Sequence, residues 1–238
     1  MLQACLNGDR ARSGHPFVPL SPDELARDAR AAVAAGAGAL HVHPRDAAGV
    51  ETLEAEPLAA ALRALRRAVP GVPVGIGTST QIAPQGAARL AQIARWDELP
   101  DYASVNLSEP GWEAQMRALM DRGIGIEAGV WSPQDAQRLL GFAHARDCLR
   151  VLIEMIDLGP QAAVAQYQAT RQVLDQSRLD LPRLLHGEGA CAWDMVRLAG
   201  REGLDTRAGL EDMLDLPTGA IAPDNAAILR TARALHVS

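Results

Sequence analysis

The sequence predicts an α/β fold, a single-domain (β/α)8 TIM barrel spanning residues 1–238, with parallel strands inside and helices outside. Three observations predict it. Short apolar runs alternate with amphipathic or Ala-rich stretches about eight times, with short connections between them. Composition does not shift anywhere along the chain, whose length is enough to bury one substantial core. The alternative, an open doubly wound sheet, would place a Gly-x-Gly-x-x-Gly turn in its first unit; that turn is missing there, and Gly77, Gly86 and Gly187 do not supply it elsewhere.

The elements follow in order. Leu2 to Leu6 is an apolar run ending in Asn7-Gly8-Asp9-Arg10, a strand opening into a polar loop. Ser21-Pro22-Asp23-Glu24 carries the cap residue, N1 proline and third-position glutamate of a capping box, and its helix runs to Gly36. Ala39 to His43 is the second strand. A helix with leucines at 58, 62 and 65 spans Glu54 to Val69, a strand Val72 to Ile76 ends in Gly77-Thr78-Ser79-Thr80, and Pro84 to Arg95 is a helix. Then come strand Asp101 to Leu107, helix Trp112 to Arg122, strand Ile124 to Ala128, and a helix capped by Ser132-Pro133-Gln134-Asp135. Strand Arg150 to Glu154, helix Pro160 to Leu174, strand Leu181 to Leu185 and helix Ala190 to Arg201 complete two more units. Thr206 to Leu210 is the last strand, and Pro223 to Leu235 the last helix, with Asp224 and Asn225 read as its caps.

In such a barrel the C-terminal strand ends form the active face, and they are rich in polar residues here. Asn7 and Asp9 follow the first strand, His41 and His43 end the second, Thr78 and Ser79 the third, Ser104 and Asn106 the fourth. Glu127 lies on the fifth, Glu154 on the sixth, His186 and Glu188 at the seventh, and Arg207, Glu211 and Asp212 around the eighth. His41 and His43, one residue apart on a strand, point to the same side and make half a metal site. The eighth strand closes beside the first, so Glu211 is only one strand away from the histidines. Two imidazoles and a carboxylate leave an open position on a divalent ion such as zinc. Glu188 or Asp46 serves equally as a partner holding a histidine tautomer.

Composition narrows the chemistry. The net charge is -6, no basic run exists and aromatic residues are scarce, which argues against a nucleic-acid surface and for a small-molecule ligand. Cys5, Cys148 and Cys191 are odd in number and far apart, suiting a reducing compartment; without a signal peptide or a membrane-length apolar run, a cytoplasmic enzyme is expected. All 23 basic residues are arginine, so Schiff-base, covalent pyridoxal-phosphate, phosphate-loop and carbamylated-lysine chemistries are excluded. Carbonyl chemistry must use a metal or hydrogen bonds.

The stretches Asn7-Gly8-Asp9-Arg10, His15 to Leu25, Gly36 to Asp46, Ser104 to Gly111, Gly125 to Trp131 and Asp205 to Asp212 resemble, in collinear order, the β-keto acid cleavage enzymes, which include 3-keto-5-aminohexanoate cleavage enzyme. The resemblance implies a metal-dependent acyltransferase, usually with Zn2+, that cleaves a β-keto acid with acetyl-CoA to give acetoacetate and an acyl-CoA. It implies His41, His43 and Glu211 as metal ligands, Arg207 and Asp212 in substrate binding and proton transfer, and a hydroxyl from Thr78 or Ser79. Asn7, Ser104, Asn106, Glu127 and Glu188 would bind substrate, and Asp9 stands where the better-known member has a glutamate, one methylene longer. A homo-oligomer is expected. The chain is shorter than typical members.

The chemistry agrees with the residues. Retro-Claisen cleavage needs a Lewis acid on the keto oxygen, a cation for the carboxylate and a carboxylate base; a metal, Arg207 and Asp212 provide one of each. Two other readings compete: a CoA-independent metal-dependent hydrolase or aldolase on the same barrel, and a non-catalytic binding barrel. Arg45 alone reads as a barrel-wall ion pair, and Arg10 and Arg12 as solvated or as partners for CoA phosphates.

Overall fold

A computed structural model describes residues 1–82 and 84–236. The strands are β1 (Leu2–Cys5), β2 (Ala39–Val42), β3 (Val74–Gly77), β4 (Tyr102–Asn106), β5 (Gly125–Val130), β6 (Arg150–Met155), β7 (Arg183–Gly187) and β8 (Asp205–Ala208). The helices are α1 (Pro22–Ala34), α2 (Ala55–Ala68), α3 (Ala87–Ala94), α4 (Trp112–Met120), α5 (Pro133–Gly141), α6 (Pro160–Asp175), α7 (Ala192–Glu202) and α8 (Asn225–His236). Each strand pairs in parallel with the next, and β8 closes on β1. The fold is the (β/α)8 barrel the alternation predicts. Among the described residues no helix is long and apolar enough to cross a membrane, and the three cysteines are free and buried.

Local chemistry explains the element ends. Ser21 caps α1 in a reciprocal capping box with Glu24, and the Ser132 hydroxyl accepts the Asp135 N–H at the start of α5. Most boundaries shift by a residue or two from expectation, and four of the shifts shape the site or its surroundings. β5 continues to Val130 and β7 through His186 and Gly187, which brings Trp131 and His186 to the active face. α3 begins at Ala87, because Arg89 folds the preceding loop onto itself by donating to the carbonyls of Pro84, Thr78 and Ile82. β8 ends at Ala208, where Gly209 passes so close to β1 that a Cβ would lie 1.9 Å from the Cys5 carbonyl oxygen.

Asp224 caps α8 by accepting the Ala227 N–H at 2.7 Å. Asn225 does something else. Its amide donates to Leu6 O and to Asp28 Oδ2 (2.8 and 2.6 Å) and accepts from Leu210 N (2.6 Å), so one buried side chain ties α1 to the loops after β1 and β8. The floor of the barrel is polar as well: Gln3 donates to Tyr102 and Glu127, and Arg150 Nε lies 3.3 Å from Glu127. Tyr102 fits because β3 carries Gly75, whose Cβ would overlap the tyrosine ring.

Candidate active site

The side chains of His41 and His43 emerge on the same side at the end of β2. Their Nε2 atoms are 3.2 Å apart, and each lies 3.7 Å from Glu211 Oε1, which comes from the loop after β8. One ligand atom from each falls within 4.8 Å of the others, a group able to hold a metal ion. Parallel pairing places β1 between them, with Cys5 opposite His41, and the Glu211 N–H donates back to Cys5 O at 3.3 Å. Neighbouring glycines leave the room. A Cβ on Gly77 would lie 2.2 Å from His43 Nε2, and one on Gly8, where φ is +53°, would lie 2.4 Å from Glu211 Cγ.

The electrostatics suit a cation. Burial holds the His41 imidazole down to about 3, so it is a neutral donor at neutral pH. Burial lowers His43 too, but Glu211 and Glu51 together reverse the sign and raise it. The Glu51 carboxylate accepts from His43 Nδ1, which turns the bare Nε2 towards His41 and Glu211. Glu211 is buried, which alone would raise its carboxyl, yet Arg207 and the histidines hold it well below the usual range, and its Oε2 has no partner. Two imidazole lone pairs and a carboxylate facing one point are stable around a divalent ion, so these residues fit one.

The other expected site residues sort into those that face the cavity and those that support its wall. A cavity of about 330 Å³ opens over the three donors and is lined also by Asp9, Ser79, Ser104, Asn106, Trp131, Glu154, Glu188 and Arg207. Asn7 is not among them. Both ends of its amide are taken by the His43 backbone, at 2.8 and 2.9 Å, so it positions the histidine from outside the cavity lining. Glu127 lies below, 4.0 Å from His41 Nδ1, bonded to Gln3 and paired with Arg150, likewise outside the cavity lining. The Thr78 hydroxyl donates to Ser104 O and accepts from Gln115, turned into the helix layer, which leaves Ser79 as the cavity hydroxyl of the pair.

Arg207 Nη2 is shared by Glu211 Oε1 (2.9 Å) and Asp212 Oδ1 (2.8 Å). With two carboxylates on one guanidinium, Glu211 takes the lower value, while burial pushes Asp212 up. Asp212 is fully buried and absent from the cavity lining. Glu188 faces the cavity, lies 3.2 Å from Arg10 and is raised to about 7, first by burial and then by Asp212. Asp46, offered above as a tautomer partner, instead caps its own loop by accepting from Ala48 and Val50, and Glu51 fills that role. Arg45 donates to Gly8 O and Arg10 O, pinning the β1 loop; Arg10 donates to Glu211 O, and Arg12 pairs with Glu24.

Sequence reasoning missed Glu51 and left Glu154, His186 and Trp131 without roles. Glu51 had a signal, being a carboxylate just past the loop that follows His-x-His.

A family model described as beta-keto acid cleavage enzyme matches residues 1–237. Among solved structures, the chain is similar to apo ObcA at 17% identity and TM-score 0.72, covering 92% of this chain and 61% of that one. It is similar to a ternary complex of ObcA with C4-CoA adduct and oxalate at 17% identity and TM-score 0.72, with 92% and 63% covered. The 3-dehydroquinate dehydratase from Aquifex aeolicus VF5 matches at 14% identity and TM-score 0.63, over 99% and 97%. At these identities the likenesses show the barrel, and the chain spans about 61% of the length of ObcA.

Proposed function

The chain belongs to the beta-keto acid cleavage enzyme family, and from that premise we propose that residues 1–238 act as one catalytic domain, an acyltransferase that converts a β-keto acid and acetyl-CoA into acetoacetate and a new acyl-CoA. The observation that carries this reading is the convergence of His41, His43 and Glu211 on one point at the floor of an open cavity. The ObcA complex holding a CoA adduct supports a thioester as the second substrate.

A divalent ion, zinc by the character of the donors, would be held by His41, His43 and Glu211 and would supply Lewis acidity towards the keto oxygen. Arg207 lines the cavity, with Glu211 and Asp212 both holding its Nη2, and presents a fixed cation for the substrate carboxylate. Asp212 fixes that guanidinium. Ser79, Ser104 and Asn106 give the β3–β4 side neutral hydrogen-bonding groups, while Asp9, Glu154 and Glu188 make the other side acidic.

The test is a panel of β-keto acids with acetyl-CoA, following thioester loss and acetoacetate gain in metal-loaded and chelated protein. Turnover of at least one keto acid, abolished by chelation and restored by zinc, is expected. Turnover without any thioester would point to the CoA-independent hydrolase or aldolase, and no turnover across the panel would overturn the proposal.

A further inference from the structure

Resting on the proposed cleavage reaction, we propose that Glu109 is a positioning residue: without touching substrate, it holds Ser79, Gln81 and Asn106 in the arrangement that meets the β-keto acid. Glu109 lies in the Ser104 to Gly111 stretch, between β4 and α4. Its N–H donates to Asn106 O at 3.2 Å, and this tight turn folds the side chain back over the end of its own strand and against the loop after β3.

One carboxylate then gathers donors from two neighbouring strand ends. Oε1 accepts from the Ser79 hydroxyl at 3.1 Å and from Asn106 Nδ2 at 2.9 Å, and Oε2 accepts from the Thr80 N–H at 2.8 Å. Ser79 Oγ in turn accepts from the Gln81 N–H at 3.2 Å. Ser79, Gln81 and Asn106 line the cavity over His41, His43 and Glu211, whereas Glu109 and Thr80 do not. An ionised carboxylate can only accept, so Ser79 directs its one proton to Glu109 and Asn106 must turn its amide nitrogen there. The hydroxyl rotor of the first and the amide flip of the second are both fixed. All these donors are neutral, and a charged acceptor holds them more tightly than a neutral one would.

This wall needs such a clamp more than the others do. β3 ends at Gly77 and α3 begins only at Ala87, so Ser79 and Gln81 sit on a connection with no strand pairing beneath them. Thr78 ties the start of that connection to Ser104 O, and Arg89 pins its outer side through the carbonyls of Thr78, Ile82 and Pro84. Neither reaches the side chains of Ser79, Gln81 or Asn106. Glu109 fixes the cavity side, and groups ordered before substrate arrives do not have to be ordered at its expense.

The test is a mutant cycle on a turned-over keto acid. Glu109→Ala should lower kcat/KM by about 10–100-fold, chiefly through KM, with zinc affinity by calorimetry unchanged. In that background Ser79→Ala should cost nothing further, because the carboxylate acts through the hydroxyl. Glu109→Gln, of the same shape and with one acceptor oxygen left for Ser79 and Asn106, guards against misfolding and should fall between wild type and Glu109→Ala. Glu113→Gln, an exposed α4 carboxylate paired with Arg117, should match wild type. Wild-type kcat/KM in Glu109→Ala and Glu109→Gln, or Ser79→Ala costing as much in the Glu109→Ala background as it does alone, would overturn the proposal. Protection of the Thr80 amide from hydrogen exchange, read by NMR without substrate, should be present in wild type and lost in Glu109→Ala. Unchanged protection would overturn the positioning role even where wild type turns over no keto acid, an outcome that would count against the cleavage reading itself.

Discussion

Two walls of the cavity use the same residue types to opposite ends. On the β2–β8 wall, His41, His43 and Glu211 point at one spot, and Glu211 Oε2 has no partner. On the β6–β7 wall, Glu154 and His186 are 3.0 Å apart and satisfy one another, with Trp131 completing the carboxylate. The first is a set of donors waiting for a cation; the second is a chain built to hold one carboxylate still. What separates them is whether the polar atoms converge or connect, because buried polar atoms left converging cost several kcal/mol unless an ion accepts them.

The largest effect expected is on the first wall. His41→Ala should weaken zinc binding by more than about 100-fold, exceeding the usual loss from an outer partner, with the barrel still folded by circular dichroism; unchanged metal uptake by calorimetry would erase the contrast. Glu51→Gln, which unfixes the His43 tautomer, should cost about 10–100-fold in zinc affinity, read in the same titration.

Ser79 and Thr78 sharpen the comparison between facing and supporting roles. Thr78→Val should destabilise the fold by about 1–3 kcal/mol, because Ser104 O and Gln115 lose a buried partner, leaving KM unchanged. Ser79→Ala should raise KM several-fold at nearly constant stability. Urea unfolding and initial rates on both variants separate the two.

The smallest effect lies beneath the first wall. Burial raises Asp28 to about 6, and a raised carboxyl favours the protonated fold, so the stabilisation it gives is full below about pH 4 and lost as pH climbs through 6. Asp28→Asn, still able to accept from Asn225, should flatten the curve in that window and be more stable at pH 7 by on the order of 1 kcal/mol, allowing for partial exposure. Thermal unfolding from pH 4 to 7 measures it.

The barrel was legible because eight strand-helix units repeat one hydrophobic rhythm, and the His-x-His pair because a strand's period of two puts both rings on one side. Glu211 was legible once closure set β8 beside β1. What stayed hidden depends on which way a side chain turns. Thr78 and Ser79 are adjacent, and only the packing of Gln115 shows that the threonine looks outward. Asn7 and Glu127 carry the right chemistry at the right strand ends, but backbone and floor partners claim them first. Asn225 looked like a cap because its sequence neighbour is one, and its three tertiary bonds leave no mark on local pattern.

The most direct measurement is the fate of the acetyl carbons. Metal-loaded protein given a turned-over β-keto acid and acetyl-CoA labelled with carbon-13 in the acetyl group should place the label in the keto half of acetoacetate, leaving the new acyl-CoA unlabelled. Label recovered in free acetate, or remaining on CoA while the keto acid is consumed, would contradict an acyl exchange at the site built on His41, His43 and Glu211.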